Sequence, residues 1–344
     1  MRIATREKFN TANKDSRWSK MLKEALKMKR RIVISLTLVL TVLSLLTGCY
    51  ANDEGSTAST DGFYSFTDSL GRSVNLNSRP ERVAVLTGSY ADTWLLAGGT
   101  LHATTQDAWD DGEFAIPDGV LNLGSIRTPS MEIIVENDID FIILSAKIED
   151  HVKLSTQLES LNIRCAYFEV EVFDDYLHML KICTDITGEK NLYKKNGTDV
   201  RAQIDKAVER KAGKNAPSVL LMRAFSTGVS VKNSDNMAGA MIKEMGCINI
   251  ADSDRSLLEN LSMEIIIQED PDYIFFVTMG SSEEKALASM RAALEENPAF
   301  NSLRAVKSGN YIQLPKALFH LKQNSQWGES YEFLADILYG EDTE

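Results

Sequence analysis

One fourteen-residue stretch occurs twice in this chain. Residues 130–143 read Ser-Met-Glu-Ile-Ile-Val-Glu-Asn-Asp-Ile-Asp-Phe-Ile-Ile, and residues 262–275 read Ser-Met-Glu-Ile-Ile-Ile-Gln-Glu-Asp-Pro-Asp-Tyr-Ile-Phe, identical at eight of fourteen positions. Each copy predicts a short helix opened by a serine cap, a turn over 138–140 or 270–272, and an apolar strand over 141–144 or 273–277. A solenoid needs three or more stacked units. Two copies 132 residues apart, flanking a long central segment, imply two similar lobes instead.

The surroundings of both copies follow β–α–β grammar, whose connections suit helical crossovers between parallel strands. In the first half a hairpin is expected over 63–74 with Gly71 at its turn. Strands over 82–86, 101–105 and 164–168 alternate with helices over 90–97, up to 161, and 174–187, the last ended by Gly188. In the second half, strands over 218–222, 248–250 and 311–314 alternate with helices over 237–245, up to 296, and 328–339, with a loop over 223–228. Between the halves, 189–212 reads as a single helix with Leu192, Val200, Ile204 and Val208 on one face. At 1.5 Å per residue it would span about 36 Å, enough to bridge two domains, with Gly197 a local weak point. The expected fold class is α/β: two Rossmann-like lobes with parallel-rich sheets, over 62–188 and 213–340, joined by one long interdomain helix over 189–212.

The chain ahead of the lobes is of another kind. Residues 1–27 are polar and charged without a core pattern, and Met28 precedes Lys29-Arg30-Arg31, so 1–27 is a possible non-native extension with Met28 as the alternative start. Fifteen uncharged residues follow over 32–46, then Thr47-Gly48-Cys49. That is the layout of a signal peptide over 28–48, too short for a spanning helix. Leu46-Thr-Gly-Cys49 resembles the bacterial lipobox, which implies a lipid on Cys49. Residues 49–61 are small and polar and read as a flexible tether.

Charge and motifs exclude several functions. The formal charge is −12, and beyond residue 48 there are 26 basic against 46 acidic side chains. Nucleic acid needs clustered basic surface, so it is set aside. Cys165 and Cys183 lie in apolar runs and read as core residues. There is no G-x-S-x-G, H-E-x-x-H, phosphate loop or G-x-G-x-x-G. His102, His151, His178 and His320 are scattered without metal-cage spacing, and only His320 falls in a strand-to-helix loop. No catalytic residue, metal site or resident cofactor is expected.

In open α/β sheets ligands bind beyond the carboxyl ends of the strands. That rule selects Thr87, Ser89, Tyr90, Gln106, Trp109, Lys147 and Glu169 from the first lobe. From the second it selects Arg223, Phe225, Arg255, Met279, Phe319, His320 and Trp327. Aromatics with arginines suit a bulky, planar or anionic ligand.

A lipobox, two β/α lobes, a bridging helix and Gly124-Ser-Ile-Arg-Thr-Pro-Ser-Met-Glu132 together resemble the substrate-binding lipoproteins of ABC importers for iron-siderophores, haem and cobalamin. The second copy of the repeat, with Glu264 and Pro271-Asp272, has the family's usual wording; the first carries Ile139 where proline is usual. The resemblance implies a monomer anchored through Cys49 on the extracytoplasmic face of the cell membrane, working with an ABC permease and its ATPase. Glu132 and Glu264 would pair with permease arginines, one from each lobe. The cargo would be an iron complex, siderophore or haem, with a corrinoid as the alternative. A lipid-anchored enzyme or chelatase on a similar fold is the less favoured class.

Overall fold

The structure, a computed structural model, describes residues 62–110, 114–280, 282–320 and 322–340. The expected extension over 1–27, signal peptide, Cys49 and tether lie outside the described residues. Among the described residues no helix is long and apolar enough to cross a membrane.

The first lobe opens with a hairpin of β1 (Tyr64–Thr67) and β2 (Ser73–Leu76), turned at Gly71 with φ +75°. Buried Asp68 holds that turn, accepting from the Leu70 and Arg72 amides at 3.0 Å and from the Arg72 guanidinium at 2.8 Å. Five parallel strands follow: β3 (Val83–Val85), β4 (Leu101–Thr104), β5 (Leu121–Asn122), β6 (Phe141–Ser145) and β7 (Arg164–Phe168). They lie in the order β5-β4-β3-β6-β7. The chain therefore winds outward from β3 and returns to lay β6 on its other side. The crevice at such a reversal, between β3 and β6, is where open sheets take ligands. Every residue of β6 is buried, as expected of a strand covered on both faces.

The second lobe holds β8 (Ser218–Phe225), β9 (Gly228–Lys232), β10 (Ile248–Asn249), β11 (Tyr273–Thr278) and β12 (Tyr311–Gln313). Parallel strands run β10-β8-β11-β12, placing the reversal between β8 and β11, and β9 pairs antiparallel with the far half of β8. Here the structure departs from the expected loop over 223–228. The strand continues through Arg223, Ala224 and Phe225 and folds back across Ser226-Thr227, with Phe225 opposite Gly228. Ser-Thr is a poor hairpin signal, since two-residue turns favour Asn-Gly or a leading glycine. The strand β5 likewise lies inside what reads as loop, and the helix expected up to 161 is split into Glu149–Lys153 and Ser155–Ser160.

The bridge is shorter than 189–212 and not uniform. It begins after Gly188, which takes the left-handed cap at φ +82°, and runs as α-helix Lys190–Tyr193, a π-helical turn Lys194–Thr198 and α-helix Asp199–Glu209. That length reaches about 30 Å. The wide turn has an identifiable cause. The Tyr176 hydroxyl donates to the Asn196 carbonyl at 2.8 Å, and the buried Asn196 amide donates to the Leu96 carbonyl, so tertiary bonds draw on the turn's polar groups. The final helix, Trp327–Tyr339, packs along the bridge and is tied to it by Arg210 and Asp336 at 2.8 Å.

Alternate strand positions face different cores. Val83, Val85, Val219 and Leu221 join one apolar cluster that runs through Val200, Ile204 and Ala207 of the bridge to Tyr331 and Leu334. Ala84 and Leu86, like Leu220 and Met222, face separate outer clusters. One continuous core thus joins both sheets to the bridge.

Both copies of the repeat fold alike. Ser130 accepts from the Ile133 amide at 3.3 Å and Ser262 from the Ile265 amide at 3.4 Å, opening helices Met131–Glu136 and Met263–Glu269. Asp138 and Asp270 turn the chain at φ +48° and +39°, a conformation a short polar side chain tolerates better than most. Asp140 then accepts from the Glu81 and Arg82 amides at 2.8 and 3.0 Å. Asp272 accepts from the Ser218 amide and hydroxyl at 2.8 and 2.9 Å. In both lobes this aspartate fastens the entry of the first strand, β3 or β8.

Candidate functional site

A cleft of about 380 Å³ opens at the carboxyl end of β3 and is closed from the other side by the segment ahead of the last helix. Gly88, Ser89 and Asp92 line it from the helix Gly88–Leu96, which follows β3 directly. Asp107 and Ala108 line it from a short helix after β4. His320 and residues 322–326 form the opposite wall. An adjoining hollow of about 220 Å³ shares His320 and Lys322 and adds Glu171, Arg223, Asp235, Asn236 and Met237.

The first wall is knit by one carboxylate. Asp107 accepts from the Gly88 amide at 2.7 Å and from the Thr105 hydroxyl at 2.5 Å, holding the loops after β3 and β4 together. This approach requires a glycine, because a Cβ at position 88 would sit 2.7 Å from the Ala108 Cα. The opposite wall is latched by Asn324, buried and left-handed at φ +49°. Its amide nitrogen donates to the Ser89 carbonyl at 2.8 Å and to the Asp92 carboxylate at 2.7 Å, and its oxygen accepts from the Thr93 hydroxyl at 3.2 Å. Burial raises the Asp92 carboxyl above its ordinary range, and the Asn324 amide opposes that rise.

Two cations, Arg223 and Lys322, line the cleft alongside the carboxylates Asp92, Asp107, Glu171 and Asp235. Burial lowers both the Arg223 guanidinium and the Lys322 ammonium from their usual values; Arg223 lowers Lys322 further, while Glu171, Asp175 and Glu169 oppose the shift. Neither side chain makes a hydrogen bond or ion pair among the described residues. Two desolvated cations facing one hollow without a bonded anion favour an anionic ligand. Glu171 is engaged elsewhere, sharing Lys147 with Glu169 at 3.4 and 2.7 Å. Among the described residues, no three His, Cys, Asp or Glu side chains cluster as ligands for a bare metal ion.

The loop rule brings Ser89, Arg223 and His320 into the cleft lining and leaves the other expected side chains elsewhere. Tyr90 points into the core and donates to the Phe168 carbonyl at 3.0 Å; burial pushes its phenol up to about 12. Phe319 is wholly buried against Phe333, and Trp327 packs edge-on against Phe173 at 5.9 Å. All three are apolar enough that the core claims them. Gln106 bonds Asp110 and Asn122 at the surface, and Trp109 is exposed beside it. Lys147 is taken by the two glutamates. Phe225 stands half-buried at the end of β8, and Arg255 is exposed, 3.8 Å from Asp235. Sequence reasoning misses Asp92, Asp107, Lys322, Gln323 and Asn324. The signal available was Lys322-Gln-Asn-Ser-Gln326, five polar residues directly ahead of an apolar helix. Glu132 and Glu264 are exposed in the first turns of their helices, with no hydrogen bond or ion pair among the described residues.

The family model for periplasmic binding proteins matches residues 83–318. A putative ABC transporter substrate-binding lipoprotein of Bacillus subtilis, YhfQ, is 25% identical over 315 residues, 86% of this chain and 94% of the relative. A probable siderophore-binding lipoprotein of the same organism, YfiY, is 23% identical over 301 residues, 82% of this chain and 90% of the relative. The solved structure of the siderophore-binding protein BauB, bound to two molecules of acinetobactin and ferric iron, superposes with a TM-score of 0.64 at 18% identity, over 82% of this chain and 99% of that one.

Proposed function

Because this chain belongs to the periplasmic binding protein family, whose members serve ABC transporters and are not enzymes, we propose that it captures an anionic ferric siderophore between its lobes and delivers it to an ABC permease. The observation that carries this reading is the pair Arg223 and Lys322, two partly desolvated cations without bonded partners on one wall of the cleft. A ferric chelate bearing carboxylate or catecholate oxygens supplies the bonded anion that neither cation has and brings its own iron ligands, so no resident cofactor is needed. The relatives named for siderophores point the same way.

On this reading the protein is a monomer held to the extracytoplasmic face of the membrane by lipid on Cys49. Glu132 and Glu264 meet arginines of the permease, which an associated ATPase drives. Paired surface charges of this kind orient an encounter and speed it.

The test is a thermal-shift and tryptophan-fluorescence panel on the full chain with ferric catecholate, ferric carboxylate and ferric hydroxamate siderophores, haem and cobalamin. A ligand at a hundredfold excess over its Kd stabilises by about 2.7 kcal/mol, a readily measured rise in Tm. An anionic ferric siderophore should give that rise, and the double variant Arg223→Ala, Lys322→Ala should lose it. A response to haem or cobalamin alone, or to none of the panel, overturns the siderophore assignment.

A further inference from the structure

The repeat can be sorted position by position into residues with a structural task and residues without one. Among the eight identical pairs, the serines cap, Ile134 and Ile266 are fully buried, and Met131, Ile133, Met263 and Ile265 pack against the outer clusters. Asp138 and Asp270 make the left-handed turn, Asp140 and Asp272 fasten β3 and β8, and Ile142 and Ile274 are core strand residues. Only Glu132 and Glu264 are identical, exposed and unbonded.

One further pair stands out. Val135 is 48% exposed and Ile267 is 40% exposed, and they occupy the same position of the two copies. The next two positions, also exposed, have diverged: Glu136 corresponds to Gln268 and Asn137 to Glu269. A lone exposed aliphatic is ordinary. An exposed position that stays β-branched and aliphatic in both lobes, while its exposed neighbours change charge, calls for a shared cause outside the fold. Each aliphatic follows its glutamate by three residues, so the two side chains neighbour one another on one helix face.

We propose that the transporter-facing surface of each lobe is a two-part footprint, Glu132 with Val135 and Glu264 with Ile267, matched on the permease by a cationic side chain next to an apolar hollow, once for each lobe. The proposal rests on the reading that the glutamates dock on the permease, and adds that the contact has an apolar half. The carboxylate supplies orientation and the aliphatic supplies dehydrated contact area, the usual division between polar rim and apolar anchor in an interface. Occurrence once per lobe fits a partner that presents two like surfaces.

The test uses the full chain in its own host. A photoreactive phenylalanine analogue placed at position 135 or 267 should give covalent adducts with a permease subunit, and one at the exposed but unrepeated position 248 should give none. With the analogue moved to 136 or 268, the double variant Val135→Ser, Ile267→Ser should cut the adduct yield at least tenfold while Tm stays at the wild-type value. Wild-type yield from that variant overturns the inference. Glu132→Lys, Glu264→Lys run in parallel separates the two ideas: if it abolishes adducts while the serine variant does not, only the apolar half fails. If neither changes the yield, the docking reading fails with it.

Discussion

The Asn324 latch can be broken by one substitution whose cost follows from the geometry. Asn324→Ala removes the amide that donates to the Ser89 carbonyl and the Asp92 carboxylate and the oxygen that accepts from Thr93. Leaving buried polar partners unsatisfied costs about 1–3 kcal/mol, and more when one is charged. Alanine at φ +49° adds about 1 kcal/mol over asparagine, because Cβ crowds the following carbonyl there. The expected loss is ~3–4 kcal/mol, a fall in Tm of roughly 6 °C for a domain of this size. Asn324→Gly keeps the hydrogen-bond loss but relieves the backbone, so it should be about 1 kcal/mol less destabilised than Asn324→Ala. Urea unfolding of both variants measures the two terms separately. The deficit should also depend on pH. Asp92 has a raised folded pKa, so its stabilising contribution is complete below the ordinary value of 3.8 and is lost as pH rises through the folded value. Without Asn324 that folded value climbs further. The deficit of the alanine variant should therefore be smallest near about pH 4 and grow toward neutrality. An unchanged midpoint, equal alanine and glycine variants, or a deficit that shrinks with rising pH would each refute the account.

Other outcomes follow from the same contacts. Affinity for an anionic ferric siderophore should fall as pH rises through the alkaline range below the ordinary lysine value of 10.5, because burial lowers Lys322; Lys322→Arg should flatten that profile in a fluorescence titration. Gly88→Ala forces a Cβ against the Ala108 backbone and should cost about 1–3 kcal/mol by urea unfolding, weakening ligand binding as the wall shifts. Asp272→Ala frees the Ser218 amide and hydroxyl and should cost about 2 kcal/mol, whereas Glu132→Ala and Glu264→Ala, lacking bonded partners, should each cost under about 1 kcal/mol. Equal midpoints for the aspartate and glutamate variants would show that the repeat carries no such division of tasks.

The lobes were legible because the parallel strands are buried on both faces. Runs such as Phe-Ile-Ile-Leu and Tyr-Ile-Phe-Phe-Val have one physical interpretation when flanked by caps and turns. What escaped was decided by contacts distant in sequence. The π turn in the bridge comes from Tyr176 and Leu96, about 20 and 100 residues from Asn196, and no local pattern announces it. β5 is two residues long, held by register against Ala103 and Thr104. The Ser226-Thr227 hairpin has no turn chemistry of its own, and β9 exists because β8 offers it a free edge beyond the short β10.

The place of the cleft was legible in the loops beyond the strand ends, and most of the side chains that line it were not. Choosing loops beyond the strand ends leads to Ser89, Arg223 and His320, and the same choice takes in aromatic residues that suit a bulky ligand. Tyr90, Phe319 and Trp327 each bury instead, since apolar area gains more inside the shared core than at a wet cleft. The residues that do shape the cleft, Asp107, Lys322 and Asn324, are of the kind a sequence assigns to solvent. A polar residue enters a wall only when partners hundreds of positions away satisfy it, as Ser89, Asp92 and Thr93 satisfy Asn324. Asp107 and Asn324 are spent on holding the two walls, whereas Arg223 and Lys322, and at the surface Glu132 and Glu264, have no bonded partner among the described residues. On the proposed function, the unbonded charge in the cleft serves the cargo, and the unbonded charge repeated on both lobes serves the transporter.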